Sequence, residues 1–69
     1  MKTFWQHANG KVYAVESDTF GRITGAAGPF EIDELHDLDE YTYQCGLASW
    51  LSRAVTQHTL HRINPVLRR

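Results

Sequence analysis

The chain has 69 residues, 42% of them hydrophobic and 22% charged, with a formal net charge of −1. That is room for one small domain, without the run of ~20 apolar residues a membrane span needs, and too apolar and aromatic for a disordered chain. A lone Cys45 excludes an internal disulfide and a zinc site built of cysteines, and Met1–His7 lacks the apolar stretch of a secretory leader, so the expected location is the cytoplasm.

The first predicted element is a hairpin. Asn9-Gly10 is the strongest short signal for a two-residue turn, because both central residues of that turn need positive φ. The flanking runs Thr3–His7 and Lys11–Glu16 are rich in aromatic and β-branched residues, as strands are. A two-residue loop sets Ala8 opposite Lys11, Trp5 opposite Ala14 and Phe4 opposite Val15. Phe4, Gln6, Tyr13 and Val15 then share one face, and Trp5, His7, Val12 and Ala14 the other. The preferred arrangement buries Phe4, Tyr13 and Val15 and leaves Trp5 and His7 outward; the inverse arrangement stays open. One helix covers one sheet face, so one aromatic set should meet solvent or a partner.

Ser17-Asp18-Thr19 reads as a turn, Phe20–Thr24 as a short third strand and Gly25–Pro29 as a loop of small residues. That loop lacks the Gly-Lys-Ser/Thr ending of a phosphate loop, and acids follow it. Ile32, Leu35 and Leu38 recur every three residues, consistent with a helical turn. Asp37-Leu38-Asp39-Glu40 fits a capping box, in which Asp37 accepts from the Glu40 amide. From Leu38 a long amphipathic helix is expected to run to about Ile63, ending before Asn64-Pro65. Tyr43, Leu47, Trp50, Leu51, Ala54 and His58 form its apolar stripe, with Trp50 as the core anchor. Thr42, Cys45, Gly46, Ser49, Ser52, Arg53 and Thr56 form a side of small residues, with Cys45 as a small, partly buried, inert thiol. The expected fold is therefore α+β: a two- or three-stranded antiparallel meander followed by one long C-terminal helix on one sheet face. It forms one domain over 1–69, with 66–69 as a basic tail open to fraying.

Charge is uneven along the chain. Residues 1–30 carry a net +1. Residues 31–40 carry Glu31, Asp33, Glu34, Asp37, Asp39 and Glu40 with no lysine or arginine. Residues 41–69 carry Arg53, Arg62, Arg68 and Arg69 with no acid. Helix electrostatics favour acids at a helix start and bases at its end, but six acids in ten residues exceed what one start needs. The surplus points to an acidic patch that docks on a basic partner.

No catalytic constellation emerges. Cys45 has no basic residue within two turns on its helix side, and the acids have no pocket to separate their pKa values. His58 and His61, at spacing three, need a further ligand to hold a metal. No catalytic residue, cofactor or metal ligand is assigned.

The function expected is a small non-enzymatic interaction module or inhibitor that binds a protein partner by its surface, by analogy with small phage and plasmid accessory factors. Its candidate contact residues are Trp5, His7, Glu31, Asp33, Glu34, Asp37, Asp39 and Glu40. The alternative is nucleic-acid binding through the sheet, with Lys2, Lys11, Arg22 and the C-terminal Arg62, Arg68 and Arg69 on phosphates and Trp5 and Tyr13 for stacking; the acidic segment opposes it. A domain this small barely offsets its ordering entropy, so a homodimer that completes the core is a third expectation.

Overall fold

The computed structural model describes residues 1–67. Its first two strands are β1 (Lys2–His7) and β2 (Val12–Ser17). The turn falls on Asn9-Gly10, but its loop has three residues. The Gly10 N–H donates to the His7 carbonyl and the His7 N–H to the Lys11 carbonyl, both at 2.9 Å, and Gly10 alone takes positive φ, at 90°. The Asn9 side chain explains the choice. Its Oδ1 accepts from the Lys11 N–H at 2.9 Å, a local turn that tightens the backbone two residues on. A three-residue loop closed by a left-handed glycine is the next commonest hairpin connection.

That extra residue moves every pair by one. Phe4 faces Ala14, Trp5 faces Tyr13 and Gln6 faces Val12. Because side chains alternate with period two, a one-residue slip exchanges faces. Phe4 is thus grouped with Val12 and Ala14, and Trp5 with Tyr13 and Val15. The expected burial of Phe4 with Tyr13 and Val15 is corrected accordingly.

The next turn is held by Asp18, whose carboxylate accepts from the amides of Phe20 and Arg22 at 2.9 Å each. Phe20 lies at the turn and is 86% exposed. The third strand, β3 (Ile23–Phe30), starts later than expected and takes in the residues assigned to a loop. Small side chains suit it to this place. Ala26 and Ala27 are buried on opposite faces, in separate hydrophobic clusters. A Cβ on Gly25 would lie 3.3 Å from the Tyr43 Cβ, where the chain crosses the strand closely. A bulge at Gly28-Pro29, whose peptide bond is cis, separates the Ala14–Ala27 pair from the Val12–Phe30 pair.

The long C-terminal helix does not form. Residues 31–47 hold three 3-10 turns, Ile32–Glu34, Leu38–Glu40 and Cys45–Leu47. They lead into a helix, α1 (Ala48–Thr56), of only nine residues. Tyr41 and Gln44 are extended (ψ 150° and 140°). Tyr41 and Tyr43 alternate with exposed Thr42 and Gln44, a strand-like period two. The Gln44 backbone pairs with Ala26 of β3 through two 2.9 Å hydrogen bonds, which covers part of that sheet edge.

At its other end α1 stops in a Schellman motif. The Thr59 N–H reaches the Ala54 carbonyl (2.9 Å), the His58 N–H reaches the Val55 carbonyl (3.1 Å), and His58 takes φ 59°. Histidine fills the position where glycine is usual. The chain then turns into β4 (Leu60–Ile63), which pairs antiparallel with β1. The architecture is thus a four-stranded antiparallel sheet of order β3-β2-β1-β4 with one short helix.

Both sheet faces are covered. On one, Leu51 and Ala54 of α1 pack with Tyr13, Val15, Ala26 and Leu60, and Trp5 and Leu47 flank them. On the other, Leu35 packs with Phe4, Val12, Ala14 and Ala27, ringed by Phe30, Leu38, Tyr41 and Tyr43. The expectation of an open sheet face is therefore corrected: residues 30–43 form the second layer. Leu67 also packs against this second cluster. Trp50, expected as the core anchor, is 41% exposed.

Candidate functional site

The sequence-derived contact residues divide between the two faces. Trp5 and His7 sit on the helix side. The Trp5 indole N–H donates to the Thr3 hydroxyl at 2.8 Å, and the ring packs against the first cluster. The His7 imidazole stacks on Trp50, with centroids 5.0 Å apart and planes at 17°, while its Nδ1 accepts from the Asn9 N–H at 3.1 Å. Both rings are half-buried in intramolecular packing. The six acids belong to the loop on the opposite face, so the sheet separates the two candidate groups.

The acidic loop is built on a single apolar plug. Leu35 is 0% exposed, Leu38 is half-buried, and every other residue from 31 to 40 is exposed. The Asp37 carboxylate caps the second 3-10 turn, as the sequence suggests, but accepts from the Asp39 amide at 2.9 Å; the Glu40 amide donates to the Asp37 carbonyl at 3.0 Å. Two tyrosines pin the loop from its far end. The Tyr41 hydroxyl accepts from the His36 N–H at 2.7 Å, and the Tyr43 hydroxyl donates to the Leu38 carbonyl at 2.7 Å.

The lysines of the hairpin reach up to the same loop. Lys2 pairs with Asp39 at 3.0 Å and lies 5.2 Å from the Tyr43 ring centroid; Lys11 pairs with Glu31. The hydrogen bond and the negative charge of Glu31 raise the Lys11 pKa above its ordinary value. Burial, reinforced by the carboxylates of Glu16 and Asp39, pushes the Tyr43 phenol up to about 12. His36 Nδ1 lies 3.9 Å from Glu40. Among the described residues, Asp33 and Glu34 have no ion-pair partner.

Beside these acids runs an open groove of about 530 Å³, lined by Pro29, Phe30, Glu31, Glu34, His36 and Tyr41. Phe30 and Tyr41 stack with centroids 4.5 Å apart, and Tyr41 meets Phe4 edge-on at 6.1 Å. Sequence reasoning passed over both rings. Their signal is that they bracket the acidic decapeptide, so their stacking closes the base of the loop. The groove joins apolar ring surface to carboxylates, a combination suited to a cationic, partly apolar group.

Other sequence candidates do not assemble. Among the described residues no three His, Cys, Asp or Glu side chains come together as a metal-holding group. Cys45 is exposed, not partly buried as expected. No helix among the described residues is long and apolar enough to cross a membrane. Of the basic residues invoked for nucleic acid, Lys2 and Lys11 are held by carboxylates, Arg22 and Arg62 are exposed, and Arg68 and Arg69 lie outside the described residues. Compared with known proteins, the chain matches no family model, no curated protein and no solved structure.

Proposed function

We propose that this chain is a small non-enzymatic interaction module, or inhibitor, that docks on a basic protein surface through residues 31–41. The observation that carries the reading is the gathering of six exposed carboxylates on one loop over one sheet face, where Lys2 and Lys11 are the lysines or arginines that pair with them among the described residues. Among the described residues, six carboxylates against these two lysines leave a surplus of four negative charges there. The exposed bases Arg53 and Arg62 belong to the helix side of the sheet. Such a dipolar distribution orients encounter with a basic partner and discourages a wrong approach.

The closed core also bears on the mechanism. The described chain covers both sheet faces itself and leaves no buried side-chain nitrogen or oxygen without a partner. That self-covered core supports docking by surface occlusion rather than by completion of the fold. Trp5 and His7 are engaged in the chain's own packing and are left out of the docking surface. Nucleic-acid binding through the sheet has less support, because both faces are covered.

The test is affinity capture from source-cell lysate, with nuclease, comparing the native chain with the triple variant Asp33→Lys, Glu34→Lys, Glu40→Lys. These acids are exposed and none is a turn cap. A discrete protein that survives nuclease, elutes with salt and is lost with the variant is expected. Equal capture by both chains, or capture abolished by nuclease, would overturn the reading.

A further inference from the structure

We infer that the groove beside the Phe30–Tyr41 stack receives an arginine side chain of the partner. This rests on the reading of the acidic face as a docking surface and names the contact at its centre. The groove is a defined concavity of about 530 Å³ at the base of the loop, where acids and aromatic rings meet. Its apolar part is the Phe30–Tyr41 stack, anchored behind by Phe4 and therefore set in place before any ligand arrives. Its polar part is Glu34, which lines the groove with no ion-pair partner among the described residues, together with His36 and with Glu31, the last already held by Lys11.

Charge complementarity selects the occupant. A carboxylate beside ring surface matches a guanidinium, whose plane stacks on an aromatic ring while its edge donates to a carboxylate. An ammonium is a compact, strongly hydrated charge and gains less from ring surface. An anionic group would meet Glu31 and Glu34 and is excluded. The Pro29 and Phe30 side accommodates the methylene stem of the arginine, which favours an apolar wall.

The experiment is a titration of the full chain, followed by backbone and side-chain NMR shifts, with the peptide acetyl-Gly-Arg-Gly-amide. The same peptide with citrulline or lysine in place of arginine serves as comparison. Saturable shifts confined to Phe30, Glu34, His36 and Tyr41 are expected. The citrulline peptide should bind at least tenfold more weakly and the lysine peptide about threefold more weakly. Glu34→Gln should weaken the arginine peptide about fivefold. Asp33→Asn, in the same loop but outside the groove, should weaken it less than about twofold, through lost long-range charge alone. Phe30→Leu is the second variant, with the spectrum of the rest of the chain as the check on folding, and should also weaken binding.

Equal binding of the lysine peptide, or equal losses with Asp33→Asn and Glu34→Gln, would mean diffuse attraction to the acidic face. The groove assignment would then fail while the docking reading stands. Absence of shifts with both cationic peptides would overturn the groove assignment, and the lysate capture then decides separately whether the acidic face docks a partner.

Discussion

Replacing Leu35 by alanine tests how the acidic loop is held. Leu35 is 0% exposed and is the one fully buried side chain between residues 31 and 40. The substitution removes three buried carbons, about 2.4 kcal/mol at ~0.8 kcal/mol each. A cavity term follows, because Phe4, Val12, Ala14 and Ala27 beneath it belong to the sheet and cannot close the gap freely. The expected loss is about 3 kcal/mol, within the ~2–5 kcal/mol typical of such sites.

A chain of 69 residues has a total stability of roughly 3–10 kcal/mol, so this is a large fraction, equivalent to a fall in Tm of roughly 12–24 °C. Urea unfolding followed by tryptophan fluorescence measures it. Ile32→Ala is the matched control: it lies in the same loop and is 48% exposed, and it should cost under about 1 kcal/mol. A Leu35→Ala loss no larger than that of Ile32→Ala would refute the argument that this side chain fastens the loop to the sheet. Amide exchange adds a second readout. If Leu35 is the plug, protection should fall first over 31–43 in the variant, ahead of the central strands.

Three further outcomes are expected. His58→Gly should stabilise the chain by roughly 0.5–1 kcal/mol, because His58 holds φ 59° at the end of α1, a conformation glycine adopts without steric cost; thermal melts decide it, and a lower Tm would count against the capping account. Gly28→Ala should cost about 2 kcal/mol or more, since φ is 142° and the new Cβ would lie 2.8 Å from the Tyr13 ring; an unchanged urea midpoint would contradict this. The third concerns Tyr43, whose pKa of about 12 lies above the ordinary 10. The folded state therefore keeps a proton that the unfolded state gives up, so the stability linked to this phenol is fully present below pH 10 and is lost as pH rises toward 12. Ultraviolet titration should show one phenol ionising late, and Tyr43→Phe should remove that late step.

Several elements were legible locally. The first hairpin followed from Asn9-Gly10 and its aromatic flanks, and the Asp37 cap from a carboxylate placed before the second 3-10 turn. The accumulation of acids between Phe30 and Tyr41 was also plain in the order of residues. The misread helix comes from competition between periods. Leu47, Leu51 and Ala54 do share a helix face, but Tyr43, read as part of that stripe, belongs with Tyr41 to a period of two. Whether such a stretch coils or extends is set by what lies under it. Here the second sheet face, left bare by a nine-residue helix, gains more from two tyrosines and Leu35 than the backbone gains from continued helix.

By itself the sequence determined the positions of turns and caps, because these depend on side chains bonding their own neighbouring backbone, as Asn9, Asp18 and Asp37 do. It also determined where the charge lies along the chain. Tertiary structure selected among the loops that Asn9-Gly10 permits: the three-residue loop, held by the Asn9 side chain, exchanged the faces of Phe4 and Trp5. It likewise decided the fate of residues 57–63, which leave the helix at His58 because β1 offers Leu60–Ile63 a strand to pair with. The groove is tertiary in the same sense. Phe30 and Tyr41 stand eleven positions apart and become neighbours through the burial of Leu35, a long-range contact that no local pattern encodes.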